Sequence, residues 1–175
     1  MKLPKLIFPV LLFLTNCQDV NLKPMETVPY VDIEKFMGDW YVIANIPTFL
    51  EKGATNAIES YQLNDKGEVE TYFSYFKNSP QGTKKEYFPK GFIVNKDTNA
   101  EWKMQFLWPF KASFLIIDLD QDYSYTVIGV PSRKYVWIMA REPEIPQNIY
   151  QGILSRLQKN GYDLTKLQMV PQIWN

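Results

Sequence analysis

The sequence predicts an all-β fold made of eight short strands that follow one another in antiparallel order. Tyr and Phe, at 11 residues each, favour strands over helices. Between residues 40 and 141, apolar segments of strand length alternate with clusters of Gly, Pro, Asn and Asp. The connections are short enough for hairpins. This pattern favours a meander that is either closed as a barrel or folded as a sandwich.

The first strand is predicted from Trp40 to Ile46, where Pro47 ends it. A turn at residues 64–67 has hairpin chemistry, with Gly67 available for a positive φ. Pro89 predicts an edge, a bulge or a bend within the fourth strand. The seven later strands are predicted at residues 57–63, 69–77, 84–94, 101–106, 113–119, 123–130 and 135–141.

One amphipathic helix is predicted after the eighth strand. Pro146 suits a first helical position, and Gly161 suits the position just after the last turn. Apolar residues between them recur at helical spacing and form a single stripe, which predicts a helix packed on the outside of the sheet. Residues 167–170 are a candidate for a last short strand.

The first 16 residues are typical of a secretory signal. A basic start is followed by an apolar run at residues 6–14, which is shorter than the ~20 residues that span a bilayer. Leu14-Thr15-Asn16-Cys17 resembles a bacterial lipobox, with Asn16 where a small residue is usual. That resemblance implies acylation of Cys17, with chains such as palmitate. The alternative is a cysteine in an ordinary linker. Residues 17–30 are predicted to be a polar tether.

The composition excludes several kinds of chemistry. The chain has no histidine and a single cysteine, so it cannot form a Ser-His-Asp triad, a Cys-His dyad or most zinc and haem sites. Carboxylate catalysis and an all-oxygen calcium site remain open in principle. The net charge is zero and no long basic run occurs, which argues against nucleic acid as a partner. We predict a protein without enzymatic activity, cofactor or metal.

Four stretches together resemble the lipocalin family, most strongly its bacterial outer-membrane lipoprotein branch, which is related to apolipoprotein D. Gly38-Asp-Trp40-Tyr41 is similar to the first lipocalin motif, and residues 137–143 are similar to the third. Residues 106–110 resemble a corner motif of the bacterial branch, and the leader fits that branch too. Of the second motif only Asp120 is kept in place.

The resemblance implies an eight-stranded antiparallel up-and-down β-barrel over residues 31–175, with a short N-terminal helical turn and one C-terminal α-helix packed outside. Gly38, Trp40, Asp120 and Arg141 are then structural residues, with Arg141 over Trp40 at the closed end. An inward-facing arginine needs compensation, and a tryptophan face offers a cation–π contact. The residues alone favour Arg141 at a strand end in solvent.

Alternation along the strands predicts which side chains line the barrel. Counting from Arg141 turns Met139, Trp137 and Tyr135 inward, and counting from Trp40 turns Val42 and Ala44 inward. Residues 104, 106 and 108 share a face with Trp102. An eight-stranded barrel is either filled by such side chains or holds one small ligand. The predicted ligand-binding residues are Ala44, Met104, Phe106, Trp108, Tyr135, Trp137 and Met139.

The resemblance implies a membrane-anchored protein that binds fatty acids or lysophospholipids, located in the bacterial envelope at the outer membrane and facing the periplasm. It would store, transport or maintain envelope lipids. An aromatic and methionine-rich lining suits such ligands. Four basic residues in predicted loops are candidates for phosphate contacts, although such side chains are usually solvated. They are Lys52, Lys111, Arg133 and Lys134.

Two other functions remain open from the sequence. One is an envelope scaffold whose barrel is filled and whose surface contacts a partner protein. The other is an enzyme on the same fold. Enzymes of the lipocalin family depend on a barrel cysteine or other special residues, whereas the one cysteine here lies in the leader.

Overall fold

The computed structural model describes residues 23–174, so the predicted signal segment and Cys17 lie outside the described residues. The described chain is dominated by one antiparallel sheet that curls round and closes on itself. Its strands are β1 Gly38–Ile46, β2 Ala54–Leu63, β3 Glu68–Lys77, β4 Lys84–Tyr87, β5 Lys90–Ile93, β6 Glu101–Leu107, β7 Phe110–Leu119, β8 Tyr125–Gly129, β9 Val136–Ala140 and β10 Gln168–Met169. Its helices are α1 Ile33–Phe36 and α2 Gln147–Lys159, followed by a 3₁₀ turn at Leu164–Lys166.

Pairing of β1 with β9 closes the sheet into a barrel, with Tyr41 opposite Ala140. The strands β4 and β5 both pair with β3 and form two halves of one strand, interrupted at Pro89 as predicted. The closed structure therefore has eight antiparallel barrel strands. The choice between barrel and sandwich is settled in favour of the barrel.

The short strand β10 lies beside β1, where β2 has separated from it. The β1–β2 pairing extends from Gly38 to Tyr41, and β10 then pairs with Ala44 and Asn45. The side-chain amide of Gln172 donates to the Val42 carbonyl at 2.8 Å. The C-terminal tail therefore supplies hydrogen bonds that a break in the barrel wall would otherwise leave unmade.

The two ends of the barrel differ in their connections. β1 begins beside Arg141 at what we call the closed end, which also holds α1 and the turns at residues 64–67, 94–100 and 120–124. The opposite, open end holds the loops at residues 47–53, 78–83 and 130–135 and the β6–β7 hairpin. This assignment follows from the antiparallel order of the strands.

Buried apolar residues form two clusters, one on each side of the wall. The inner cluster fills the barrel interior and includes Trp40, Trp102 and Met139. The outer cluster lies between the sheet and α2, where Ile153 and Leu157 are buried. The predicted helix and its external packing are confirmed. Gly161 has a φ of +83° just past the helix end, the conformation that glycine favours there.

Residues 23–31 lie along the barrel wall, and we call them the N-terminal strap. At the open end, Arg133 Nη2 donates to the Lys23 carbonyl at 2.6 Å. Further along, the Val28 amide donates to the Ile116 carbonyl at 2.9 Å. At the closed end, the Val31 amide donates to the Thr98 carbonyl at 2.8 Å. The strap therefore connects the two ends of the molecule before β1 begins.

Candidate functional site: the barrel interior and its mouth

The closed end is fixed by Arg141, which lies over the Trp40 ring as the resemblance implies. The guanidinium carbon is 3.8 Å from the ring centroid. Its Nη1 donates to the Asp39 carbonyl at 2.7 Å, and Nη2 donates to the carbonyls of Lys35 and Met37 at 2.7 and 2.8 Å. One side chain therefore ties the end of β9 to α1 and to the start of β1.

Gly38 permits this close approach. Its φ is +92°, and a Cβ there would lie 3.4 Å from Arg141 Nη1. Next to it, Trp40 Nε1 donates to the Phe36 carbonyl at 2.9 Å, which satisfies the one polar atom of the buried ring. The three residues Gly38, Trp40 and Arg141 therefore form one structural unit.

Above this unit, five aromatic rings fill the lower half of the barrel, and we call them the aromatic floor. Neighbouring ring centroids are 5.1–6.1 Å apart, within the range of favourable aromatic pairs. A ligand cannot enter here without displacing a large side chain. The rings belong to Phe36, Trp40, Tyr61, Trp102 and Phe114.

Asp120 shapes the turn between β7 and β8. Its carboxylate accepts a hydrogen bond from Ser124 Oγ at 2.7 Å and others from the Asp122 and Ser124 amides. The Ser124 side chain and these amides lower the pKa of Asp120 from its ordinary value. The neighbouring Tyr123 hydroxyl accepts from the Asp32 amide at 2.8 Å, so this turn also holds the chain just before α1.

Three of the predicted lining residues lie where alternation along their strands places them. Met104 and Met139 are buried in the inner cluster, and Trp137 packs against it. Tyr135 lies one step nearer the open end, half-exposed, with its ring centroid 6.4 Å from that of Trp137. These side chains lead from the packed interior to the mouth.

The prediction that Ala44 faces the interior is wrong. The β1–β9 register shifts between Val42 and Ala44, and Ala44 belongs to the outer cluster beneath α2. A β-bulge adds one residue to one strand, so every later side chain turns to the opposite face. Val42 lies before the bulge and faces inward as predicted.

The prediction that Phe106 and Trp108 line the interior is also wrong. The β6–β7 register shifts between Met104 and Leu107, so the alternation that turns Met104 inward does not continue. Both aromatic side chains are exposed on the hairpin that joins the two strands at the open end. We call residues 106–110 the mouth hairpin.

The sequence reading missed a buried carboxyl group inside the barrel. Glu59 on β2 is buried and lies opposite Phe73 of the inner cluster. The Tyr61 hydroxyl donates a hydrogen bond to it. A signal was present, because Ala57, Glu59 and Tyr61 alternate along β2 and place a charge on an otherwise apolar face.

Burial raises the pKa of Glu59 to about 7, even though the hydrogen bond from Tyr61 acts in the opposite direction. The nearby Glu51 carboxylate adds to the rise. Burial also raises the pKa of Tyr61 well above its usual range, and the charge of Glu59 contributes. Glu59 is therefore protonated over much of the range in which an exposed glutamate is ionised.

A second carboxyl group, that of Glu51, is buried near the rim of the mouth in the loop 47–53. Its Oε1 accepts from Trp137 Nε1 at 2.6 Å. Its Oε2 accepts from the Thr48 amide at 2.9 Å and from Thr48 Oγ1 at 2.6 Å. The Tyr75 hydroxyl also donates to the Leu50 carbonyl in the same loop. Side chains of β3 and β9 therefore hold this loop in place.

Thr71 is the second polar side chain that the sequence reading missed. It alternates along β3 with Val69 and Phe73, both of the inner cluster, and it pairs with Tyr61 across the sheet. Within residues 23–174, its buried Oγ1 has no hydrogen-bond partner. A buried hydroxyl without a partner is unfavourable, so this atom is available to a ligand or to water.

A groove of about 780 Å³ lies outside the barrel wall and is lined in part by Ser60, Gln62, Glu70 and Phe88. Its lining mixes apolar and polar side chains, and it opens to solvent. Among residues 23–174 there is no cluster of three or more His, Cys, Asp or Glu that could hold a metal ion. In the same part of the chain, no helix is long and apolar enough to cross a bilayer.

Comparison with known proteins agrees with this architecture. The Lipocalin-like domain family matches residues 31–172. The chain is a lipocalin. It is 28% identical over 141 residues to "Outer membrane lipoprotein Blc" of Escherichia coli K12, covering 81% of this chain and 79% of the relative. It is 30% identical over 150 residues to apolipoprotein D of Mus musculus, covering 81% and 77%.

A solved structure supports the same fold for this lipocalin. Insecticyanin from the tobacco hornworm Manduca sexta superposes with a TM-score of 0.66 at 18% identity. The superposition covers 87% of this chain and 86% of that protein. At this identity the likeness concerns the barrel and its helix, and the ligand must be argued from the interior of this chain.

The lipocalin barrel thus has two different halves. The lower half is packed with aromatic rings and closed by Arg141. The upper half holds a half-exposed aromatic pair, Tyr135 and Trp137, whereas Glu59 and Thr71 lie opposite Trp40 and Tyr61 at the level of the aromatic floor. Such a lining can bind an apolar chain and, in addition, satisfy a few polar atoms.

Proposed function

We propose that this lipocalin is a membrane-anchored lipid-binding protein that holds a fatty acid or a lysophospholipid in the upper half of its barrel. One observation carries the proposal. The interior is packed and sealed at one end, whereas the other end is lined by Trp137 and Tyr135 and leads to exposed apolar residues. An apolar ligand would enter from the open end and stop above the aromatic floor.

The relatives support a place in the bacterial envelope. Several of them are named outer membrane lipoproteins and match about four-fifths of this chain. The leader of this chain ends in Cys17, where a lipobox would end. We propose acylation of Cys17, attachment to the outer membrane on its periplasmic face, and a role in storing, transporting or maintaining envelope lipids.

The carboxyl groups in the barrel interior favour a lipid that binds with its acyl chain inward. A fatty-acid carboxylate or a phosphate placed deep in the barrel would meet the carboxyl groups of Glu59 and Glu51. An acyl chain meets no such repulsion, and protonated Glu59 is compatible with it. The acyl chain therefore enters first, and the charged head group remains at the mouth near Lys52 or Lys134.

Native mass spectrometry of the full protein purified from membranes tests the proposal. We expect one lipid to travel with each barrel and to be released on unfolding. Titration of the lipid-depleted protein with lysophosphatidylethanolamine or palmitate should give one-to-one binding and quench tryptophan fluorescence. Trp137→Phe should remove most of that change, and Trp174→Phe, on the outer wall, should leave it intact.

Two results would contradict the proposal. One is the absence of any bound lipid combined with no response to either probe. The other is conversion of the added lipid into a product, which would instead support an enzyme. Binding without turnover is expected, because the chain lacks histidine and its single cysteine precedes the barrel.

A further inference from the structure

The N-terminal strap determines the end of the barrel at which the preceding chain joins it. The Lys23 carbonyl is bound by Arg133, which lies in the open-end loop 130–135. The strap then continues to Val31 and Thr98 at the closed end. The described chain therefore begins at the open end of the barrel.

The distance along the chain from the strap to Cys17 is short. Cys17 precedes Lys23 by six positions, and six extended residues span at most about 20 Å. The strand β1, which separates the two ends, has nine residues and extends about 30 Å along its own axis. A lipid on Cys17 therefore brings the open end, rather than the closed end, close to the bilayer.

The open end also carries the exposed apolar residues that a bilayer surface would bury. In the mouth hairpin, Leu107, Trp108 and Phe110 are 71%, 81% and 73% exposed. On the far side of the mouth, in the loop 47–53, Phe49 is 80% exposed. Exposed apolar residues at the same end of the barrel mark an interaction surface, and tryptophan is suited to the boundary between head groups and acyl chains.

The charges of the barrel are divided between its two ends. The open-end loops and the start of β7 carry Lys52, Lys111, Arg133 and Lys134, and the one acidic residue among them, Glu51, is buried and hydrogen-bonded. A basic end on a chain of zero net charge is attracted to an anionic lipid surface. The closed-end turns carry Asp65, Asp97, Asp120 and Asp122 against Lys66 and Lys96.

We propose that the open end of the barrel docks on a bilayer that contains anionic lipids. The mouth hairpin and Phe49 enter the head-group region, and Lys52 and Lys134 contact lipid phosphates. This proposal rests on the proposed function, because the anchor on Cys17 supplies the membrane. The mouth then opens onto the bilayer, and a lipid passes between membrane and barrel without crossing water.

Depth-dependent quenching of tryptophan fluorescence tests the orientation. The full acylated protein is placed in vesicles of phosphatidylcholine and phosphatidylglycerol, with part of the phosphatidylcholine brominated near the head group. Trp108→Phe should remove most of the quenching by the brominated lipid. Trp174→Phe is the matched control, since Trp174 packs beside Tyr41 on the outer wall, and it should retain the quenching. Quenching that persists in Trp108→Phe and is lost in Trp174→Phe would overturn the proposal.

A second pair of variants tests the hairpin while keeping its fluorophore. Leu107→Ser combined with Phe110→Ser should abolish quenching of Trp108. Phe88→Ser removes an equally exposed phenylalanine from the wall and should leave the quenching unchanged. Replacing phosphatidylglycerol by phosphatidylcholine should weaken the quenching of the unmodified protein, as should Lys52→Glu combined with Lys134→Glu.

Native mass spectrometry of the same samples separates this proposal from the proposed function. A bound lipid without quenching of Trp108 would refute docking and leave lipid binding intact. Quenching of Trp108 without any bound lipid would support docking and contradict lipid carriage. A dimer that the hairpin variants dissociate, combined with unquenched Trp108, would assign the hairpin to self-association and overturn the proposal.

Discussion

The two ends of this barrel are stabilised in opposite ways. At the closed end, Arg141 alone connects the end of β9 to α1 and to the start of β1 through a ring and several carbonyls. At the open end, the apolar side chains of the mouth hairpin face solvent. The closed end is thus held together by contacts within the protein. The open end instead exposes apolar side chains that a ligand or a membrane could cover.

Stability and binding therefore depend on different ends of the barrel. Substitutions at the closed end should mainly change the free energy of unfolding. Substitutions at the open end should mainly change ligand or membrane binding.

Arg141→Met should lower the free energy of unfolding by about 4 kcal/mol, because it removes the cation–π contact and leaves carbonyls of residues 35–39 without their charged donor. Arg141→Lys keeps the charge but loses the planar fork, so its cost should be about half as large. Chemical denaturation measures both. Equal stability of Arg141→Met and the unmodified protein would show that this contact does not hold the closed end.

Glu59→Gln should alter the pH dependence of stability. The pKa of Glu59 is raised to about 7 in the folded state, so the folded protein binds one proton more than the unfolded chain between pH ~4.5 and ~7. Stability should therefore fall as the pH rises through that window, by up to about 3 kcal/mol, and then level off.

Glutamine resembles protonated glutamate and should remove this fall. The two proteins should be similarly stable at low pH, and the variant should be the more stable one above pH ~7. Denaturation at several pH values measures the difference. A constant difference across the range would mean that Glu59 is already ionised in the folded protein.

Trp137→Phe should loosen the loop 47–53, because it removes the donor to Glu51 Oε1 while keeping an aromatic ring. The expected cost is about 2 kcal/mol, typical of a hydrogen bond to a buried charged group. Hydrogen exchange should increase at the amides of this loop and remain unchanged in the closed-end turns. Unchanged exchange in the loop would show that Thr48 and Tyr75 are sufficient to hold it.

Thr71→Val should raise the free energy of unfolding by about 1 kcal/mol, since it replaces an unpaired buried hydroxyl by a methyl group of the same shape. If a ligand uses this hydroxyl, the same substitution should weaken its binding. Thermal unfolding with and without lysophospholipid separates the two effects. A less stable variant without ligand would indicate that ordered water already satisfies Thr71.

The sequence predicted the elements of this fold well because their signals are local. Strand composition, hairpin turns and the stripe of the C-terminal helix each lie within a dozen residues. The break at Pro89 was also readable, because proline cannot donate a hydrogen bond to the sheet. The barrel itself depended on the resemblance of the stretches around Trp40 and Arg141 to lipocalin motifs.

Whether a side chain faces the inside or the outside of the barrel was less predictable. The two bulges, after Val42 and after Met104, reverse the alternation and removed Ala44 and Phe106 from the predicted lining. A bulge depends on how a strand fits neighbours that are distant in sequence, and composition does not reveal it. Glu59 is the opposite case, because the β2 pattern indicated its inward position but only the structure shows its partner Tyr61.

The place of β1 in the sheet has a consequence for how the chain folds during synthesis. β1 is the first strand to be made, yet β9 and the C-terminal tail complete its pairing, and Gln172 bonds to Val42 across 130 positions of sequence. Contacts this distant slow folding, since the loop between them must be ordered first. The wall therefore remains unsealed until residues 168–172 have been made. A nascent chain that stalls after β8 would expose the edge of β1, and residues 168–172 then decide when the barrel becomes resistant to aggregation.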